Sequence, residues 1–157
     1  MKNTLIKSVI LAVTLISVSC SSDSEDSVQD PVVAVQAVTD LAVSGSWIVS
    51  SYVDSGTDET SDYNGYTFNF SADGSLEAVN GTTVVTGTWS VTSDDSSDDD
   101  DYDSDDDIDF NIMFSAPPNF EELSDDWDIV SRSSTRIELI DISGGDGSTD
   151  TLVFEKS

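Results

Sequence analysis

Residues 82–92, Thr-Thr-Val-Val-Thr-Gly-Thr-Trp-Ser-Val-Thr, form the stretch from which the fold of this chain is predicted. Val85, Trp89 and Val91 alternate with threonine and serine, and a period of two is typical of a strand with one buried face. The Asn-Gly pair at 80–81 favours a two-residue hairpin turn, because a type I′ turn requires positive φ at both central positions. The stretch is therefore predicted to be a long strand that pairs with its neighbours through hairpins.

Seven further segments show the same strand pattern on either side of this one. Each is short and apolar on one face, and turn-forming residues such as Gly, Asp and Pro separate them. They are residues 41–52, 63–71, 75–79, 108–114, 127–131, 136–142 and 151–155. Eight sequential strands without a convincing amphipathic helix predict an all-β fold, an antiparallel up-and-down meander that closes into a small barrel. Closure also removes exposed strand edges.

The composition limits the classes of partner. The chain has 157 residues, of which 32 are acidic and 5 basic, so its net charge is −27. This length fits one domain with tails. So negative a surface repels nucleic acid and anionic lipid headgroups. We therefore expect no nucleic-acid partner, and we expect a monomer.

Residues suited to catalysis are scarce. The sequence contains no histidine and a single cysteine, which excludes Ser/His and Cys/His nucleophile systems and most zinc sites. A pair of carboxylates could serve a glycosidase, and five of them lie close together in sequence: Glu121, Glu122, Asp125, Asp126 and Asp128. Carboxylates at this density follow from the composition alone. The chain is therefore predicted not to be an enzyme.

Residues 1–19 have the features of a signal peptide. Lys2 and Lys7 supply positive charge, and an apolar stretch at 9–18 follows them. At about 1.5 Å per residue this stretch is too short to cross a hydrocarbon core of about 30 Å, which disfavours a transmembrane helix.

Cys20 lies where a bacterial lipoprotein signal peptide would be cleaved. The small Ser19 before it resembles the lipobox pattern, although Ser17 departs from the aliphatic residue usual at that position. The resemblance implies acylation of Cys20, for example with palmitate, and a lipid anchor in the cell envelope. The alternative is an ordinary secretory signal that leaves a free thiol.

Residues 20–40 are predicted to form an acidic flexible tether, and residues 41–157 the barrel. The sequence Ser-Ser-Asp-Ser-Glu-Asp-Ser at 21–27 is polar and low in complexity. It resembles the export signal of some Bacteroidetes lipoproteins, which implies an outer-membrane location facing the cell surface in preference to the periplasm. The alternative is a spacer without a signal. The more apolar segment 32–43 is expected to form a short helix or a lead-in strand.

Short motifs along the barrel resemble the lipocalin-like lipoproteins of Bacteroidetes. The motifs are Leu41 with Gly45-Ser46-Trp47, Gly87-Thr88-Trp89, Trp127-Asp128-Ile129 and Leu152-Val153-Phe154. The resemblance covers roughly residues 41–156 and implies a lipocalin-type barrel behind a lipid anchor, without a specific ligand. It also implies that Arg136 stacks on Trp47 at the base of the barrel. The alternative for Arg136 is an ordinary surface cation.

Two functions from different classes fit such a barrel. An eight-stranded barrel is just wide enough to be filled by side chains or to hold one small ligand. In the first hypothesis the protein carries a small apolar ligand in a cavity lined by Phe68, Phe70, Trp89, Phe110, Phe114 and Phe154. In the second, these aromatic residues fill the barrel, which then serves as a surface-displayed structural or interaction module with protein partners.

The acidic loop predicted at 93–107 suggests calcium as the only candidate cofactor. Asp101, Asp103, Asp105, Asp107 and Asp109 alternate, which resembles the first ligand positions of an EF-hand. The loop departs from that motif because it has Asp106 in place of the turn glycine and Ile112 in place of the bidentate glutamate. A specific site is expected to bind weakly, with a Kd of about 10⁻⁴ to 10⁻³ M. The alternative is a solvated loop that attracts cations diffusely.

Overall fold

The structure is a computed structural model that describes residues 31–93, 108–142 and 148–157. Its helices are α1 (Pro31–Val43), a 3-10 helix (Thr60–Tyr63) and the single-turn α2 (Pro118–Glu121). Its strands are β1 (Ser46–Asp54), β2 (Thr57–Asp58), β3 (Thr67–Phe70), β4 (Ser75–Asn80), β5 (Thr83–Ser93), β6 (Ile108–Phe114), β7 (Asp125–Ser133), β8 (Arg136–Ile142) and β9 (Thr149–Lys156).

Eight of these strands close into an antiparallel barrel. Strand β1 pairs with β3, each strand from β3 to β9 pairs with the next, and β9 returns to β1. In the closing ladder Val49 lies opposite Phe154. The two-residue β2 lies outside the barrel order and pairs only with the last two residues of β1. The predictions of an all-β fold and of an eight-stranded up-and-down barrel are confirmed.

Strand β5 has the predicted orientation. Val85 and Trp89 are buried, and Thr86 and Thr88 between them are exposed. Gly81 has a φ of +60° in the hairpin turn before the strand, a conformation that glycine adopts without steric cost. Gly87 is required for a different reason, because a Cβ atom there would lie 2.7 Å from a ring carbon of Phe114. The alternation in sequence therefore places one whole face of β5 in the core.

Helix α1 corrects the predicted tether. Residues 31–40 were assigned to a flexible segment, and for this part the prediction is wrong, whereas the expectation of a short helix within 32–43 is confirmed. Ala34, Val38 and Ala42 are fully buried, since a spacing of four residues places them on one face of a helix. This face packs against β3, β5 and β6. It covers the barrel end at which β1 begins.

The opposite end is covered by the 3-10 helix and α2. The Tyr52 hydroxyl donates to the carbonyl of Glu122 at 2.7 Å, and the Tyr63 hydroxyl donates to the carbonyl of Asn119. Phe120 of α2 is fully buried, with its ring 5.5 Å from that of Tyr63. Burial raises the pKa of both tyrosines well above its usual range, so both hydroxyls stay protonated donors at neutral pH. Side chains therefore close both ends of the barrel.

Candidate functional site

The structure brings the six predicted cavity residues together inside the barrel. Phe68, Phe70, Trp89, Phe110, Phe114 and Phe154 are all buried. Phe70 on β3 lies with its ring 5.4 Å from that of Phe110 on β6 and 5.5 Å from that of Phe154 on β9. Strand β6 is three strands away from β3 around the barrel. Aromatic rings from opposite walls therefore meet in the middle of the lumen.

The cation beside Trp47 is not the one predicted. Trp47 is fully buried, and its indole nitrogen donates to the carbonyl of Ala42 at 2.8 Å. The ammonium of Lys156 lies 5.4 Å from the centre of the Trp47 ring. Arg136 is instead paired with Glu138 and Glu155, at 3.1 Å in each case. The prediction that Arg136 stacks on Trp47 is wrong, because β8 turns that side chain outward.

The predicted calcium ligands and the acylated cysteine fall mostly outside the described residues. Asp101, Asp103, Asp105 and Asp107 lie in the gap between β5 and β6, and Cys20 precedes α1. Asp109 lies in β6, where its carboxylate accepts a hydrogen bond from Thr92 at 3.3 Å. Within the described ranges, no group of three carboxylates or other ligating side chains could hold a metal ion.

A groove runs along the outer face of β5, β6 and the start of β7, and we name it the β5–β7 groove. It has a volume of about 510 Å³. Its lining residues are Thr88, Trp89, Ser90, Thr92, Asn111, Ile112, Met113, Ser124, Asp125 and Asp126. This mixture of hydroxyl, amide, carboxylate and thioether groups makes it the candidate binding site of the described part of the chain.

The groove lies where the end of β6 extends past the start of β7, so that the last residues of β6 have no partner on that strand. Asp125, the first residue of β7, lies opposite Ile112, so Met113 and Phe114 extend past the start of β7. The hydroxyl of Ser124 replaces the missing strand there. It accepts from the amide of Phe114 at 2.8 Å and donates to its carbonyl at 3.1 Å. The outer face of the sheet is therefore open beside Met113, without leaving a buried backbone group unpaired.

Two adjacent carboxyls dominate the electrostatics of the groove. Burial raises the pKa of Asp125 from 3.8 to about 6, and a hydrogen bond that its protonated carboxyl donates to the carboxylate of Asp126 adds to the shift. The amide of Asp126 donates to Asp125 Oδ1 at 2.9 Å and partly opposes this shift. Asp141 on β8 adds further negative charge. Near neutral pH the groove therefore holds crowded carboxylates that a cation would stabilise.

The sequence alone predicts only part of this arrangement. It groups Asp125 and Asp126 with other carboxylates, and it assigns Thr88 and Ser90 to the polar face of a strand. The register between β5 and β6, with Ser90 opposite Asn111, is what joins the two sets. The offset between β6 and β7 opens the groove beside them. No local sequence pattern predicts either this offset or the register between β5 and β6.

The chain was found to be similar to a solved structure by its fold. No family model matches the sequence, and no curated protein matches it. The chain is similar to a crystal structure of a DUF4847 family protein from Bacteroides vulgatus, with 17% sequence identity and a TM-score of 0.48. The alignment covers 76% of this chain and 97% of that one. The lipocalin-like family and the lipoprotein signal therefore stay predictions from sequence.

The helices of the described residues are too short or too polar to cross a membrane. None of those in residues 31–93, 108–142 and 148–157 combines the length and the apolar character needed to cross a bilayer.

Proposed function

We propose that this protein is a lipid-anchored interaction module of the cell envelope, in which the barrel is a filled scaffold and the outer surface contacts the partner. The observation that supports this proposal is that aromatic rings from different strands contact one another inside the lumen. Phe70 contacts Trp89, Phe110 and Phe154 at ring distances of 5.1 to 5.5 Å. A ligand of any size would have to displace these rings.

Displacement of the rings would be costly. Aromatic pairs in such edge-to-face geometry stabilise a protein by about 0.5 to 1.5 kcal/mol each, beyond the area that they bury. Access is also obstructed, since α1 covers one end of the barrel and Phe120 and Tyr63 cover the other. A carrier of small apolar ligands would need both an entrance and a vacant interior. These features favour the module over the carrier.

The test is whether the barrel interior takes up an apolar molecule. We expect the protein to show no saturable binding of palmitate or benzene, measured by calorimetry and by tryptophan fluorescence. The variant Phe70→Ala serves as a positive control, because an apolar cavity of this kind stays dry and binds benzene. Near-UV circular dichroism would verify that the variant is folded.

Native mass spectrometry of protein purified from its own host supplies the second arm of this test. We expect the mass of the acylated chain alone. A co-purifying apolar molecule, or saturable palmitate binding by the wild-type protein, would contradict the filled scaffold and restore the carrier hypothesis.

The lipid anchor is proposed from Cys20 and needs its own test. Each buried acyl CH₂ contributes about 0.8 kcal/mol, and one chain alone anchors only marginally, so two or more chains on Cys20 would hold the protein stably. We expect Cys20→Ala to move the protein from the membrane to the soluble fraction after ultracentrifugation. Ser21→Ala is the matched control and should stay with the membrane. Sedimentation of the Cys20→Ala protein with membranes would show that lipidation is not the anchor.

A further inference from the structure

We infer that the β5–β7 groove binds an organic cation, an alkylammonium or alkylguanidinium group, either as a free small molecule or as a basic side chain of a protein partner. This inference rests on the proposed function, in which the outer surface of the barrel makes the contacts. It concerns a site that is separate from the filled lumen. A groove that does not bind cations would therefore leave the filled lumen untouched, and a lumen that binds an apolar ligand would leave the groove untouched.

The dimensions of the groove suit a ligand of this class. Ligand sites typically measure about 300 to 1,000 Å³, and this groove has a volume of about 510 Å³. It is a surface feature, because Thr88, Ser90 and Asp126 are all exposed. An extended alkyl chain with a charged end would enter from solvent without any movement of the sheet.

Several of the groups that line the groove can accept hydrogen bonds. The side-chain amide of Asn111 donates to Thr92 at 3.0 Å, and Ser124 is occupied by the backbone of Phe114. The hydroxyls of Thr88 and Ser90 make no hydrogen bond within the described part of the chain. They lie on β5, and strand β6 separates them from the two carboxyls of β7. The groove therefore offers hydroxyl acceptors on one side and carboxylate acceptors on the other to the several donors of a guanidinium or ammonium group.

An apolar contact is available next to these acceptors. Met113 lies opposite Thr88 in the ladder, and 65% of its surface is exposed. Its thioether side chain is flexible and polarizable, which suits contact with ligands of varied shape. The alkyl part of an organic cation would pack there while its charged end contacts Asp126. This combination favours an organic cation over a metal ion, which would gain nothing from Met113.

The negative charge of the groove has no counter-ion on its walls. No lysine or arginine lines it. Of the three cations elsewhere in the described part, Arg136 pairs with Glu138 and Glu155, Lys156 contacts Ser44 and Trp47, and Arg132 lies near the other end of β7 from Asp125. A ligand would therefore supply positive charge that the walls of the groove lack.

The pH dependence of binding follows from the carboxyl groups. Asp125 is faced by Asp126 on its own strand, by Asp141 on β8, and by the uncharged Ile112 on β6. Because the pKa of Asp125 lies at about 6, this carboxyl is neutral below that pH and charged above it. A bound cation favours the charged form, so affinity rises as pH increases through 6 and falls as pH decreases.

The experiment uses two cationic probes and one neutral one. Agmatine represents a free small cation, acetyl-Gly-Arg-Gly-amide represents a basic side chain on a polypeptide, and acetyl-Gly-Gln-Gly-amide is the neutral control. Titrations would be followed by NMR amide shifts at about 150 mM salt to screen diffuse attraction. We expect saturable shifts at Thr88, Ser90, Asn111 and Asp126 with one or both cationic probes. Tighter binding of the arginine peptide would identify a polypeptide source, and tighter binding of agmatine a free cation.

A matched pair of variants separates the site from the general charge of the surface. Asp126→Asn removes one charge inside the groove, and Asp62→Asn removes the same charge from an exposed position outside it. We expect affinity to fall about tenfold in the first variant, the loss of one charged hydrogen bond, and less than about twofold in the second. Equal losses in the two variants, or shifts that spread over the acidic surface without saturation, would overturn the proposal.

Discussion

Among the glycines that the structure describes, Gly87 leaves the least space for an added Cβ atom. A Cβ atom there would lie 2.5 Å from the carbonyl oxygen of Met113 and 2.7 Å from the ring of Phe114. The backbone oxygen belongs to the β5–β6 ladder and has no freedom to move away. We expect Gly87→Ala to lower the free energy of unfolding by about 1 to 3 kcal/mol, as overpacking of a core does. Urea denaturation followed by tryptophan fluorescence would measure it.

Gly45→Ala provides the matched control for this prediction. A Cβ atom at Gly45 would meet Lys156 Cε at 3.3 Å, and this is the far end of a flexible side chain. The change should therefore alter stability by no more than about 0.5 kcal/mol. Similar losses in both variants would mean that backbone flexibility, and not the Phe114 contact, explains Gly87.

The error at Arg136 shows a limit of sequence analysis at this scale. Arg136 was the expected partner of Trp47 because it lies in one of the last strands of the barrel. The ladder between β1 and β9 instead places Lys156 opposite Trp47. Arg136 precedes the buried Ile137, so its side chain points outward and meets Glu155. The face of a residue follows from alternation within its own strand. Its neighbour across the barrel depends on the register between strands, which local patterns do not provide.

Helix α1 makes a testable contribution to stability. Its residues Val33 and Val38 lie on opposite faces, because Val38 is fully buried and Val33 is 55% exposed. We expect Val38→Lys to destabilise the protein by about 2 to 4 kcal/mol, since it buries an unpaired charge. The matched variant Val33→Lys should remain within about 0.5 kcal/mol of wild type. Equal stability of the two variants in urea denaturation would show that α1 does not pack on the barrel.

The strands were predicted well and the helix only in part, for a physical reason. Alternation within a strand is a short-range property, so all eight barrel strands could be recognised. The segment 32–43 contains many β-branched valines, which weaken a helix prediction. Its decisive feature is the small buried stripe of Ala34, Val38 and Ala42, and this stripe becomes informative only when the end of the barrel is there to receive it.

At the scale of the whole molecule, the charge of −27 governs the response to cations. Any salt will stabilise so acidic a chain by screening its self-repulsion. We expect calcium to raise the melting temperature further if the alternating aspartates bind it, with a Kd of about 10⁻⁴ to 10⁻³ M. The variant with Asp101, Asp103 and Asp105 changed to Asn is the comparison. Equal heats and equal thermal shifts for the two proteins would leave only screening.

The way in which α1 is attached has a mechanical consequence. The helix packs on the barrel through the buried Ala34, Val38 and Ala42, through the partly buried Val35, Leu41 and Val43, and through the hydrogen bond from Trp47 to Ala42. Strand β1, which follows it, is held by ladders to both β3 and β9. Tension applied at residue 31 would therefore peel the helix away contact by contact at low force. The strand would resist as a whole, because its ladders must shear together. A chain pulled from this end would therefore unfold in two stages, with the helix detaching at a lower force than strand β1.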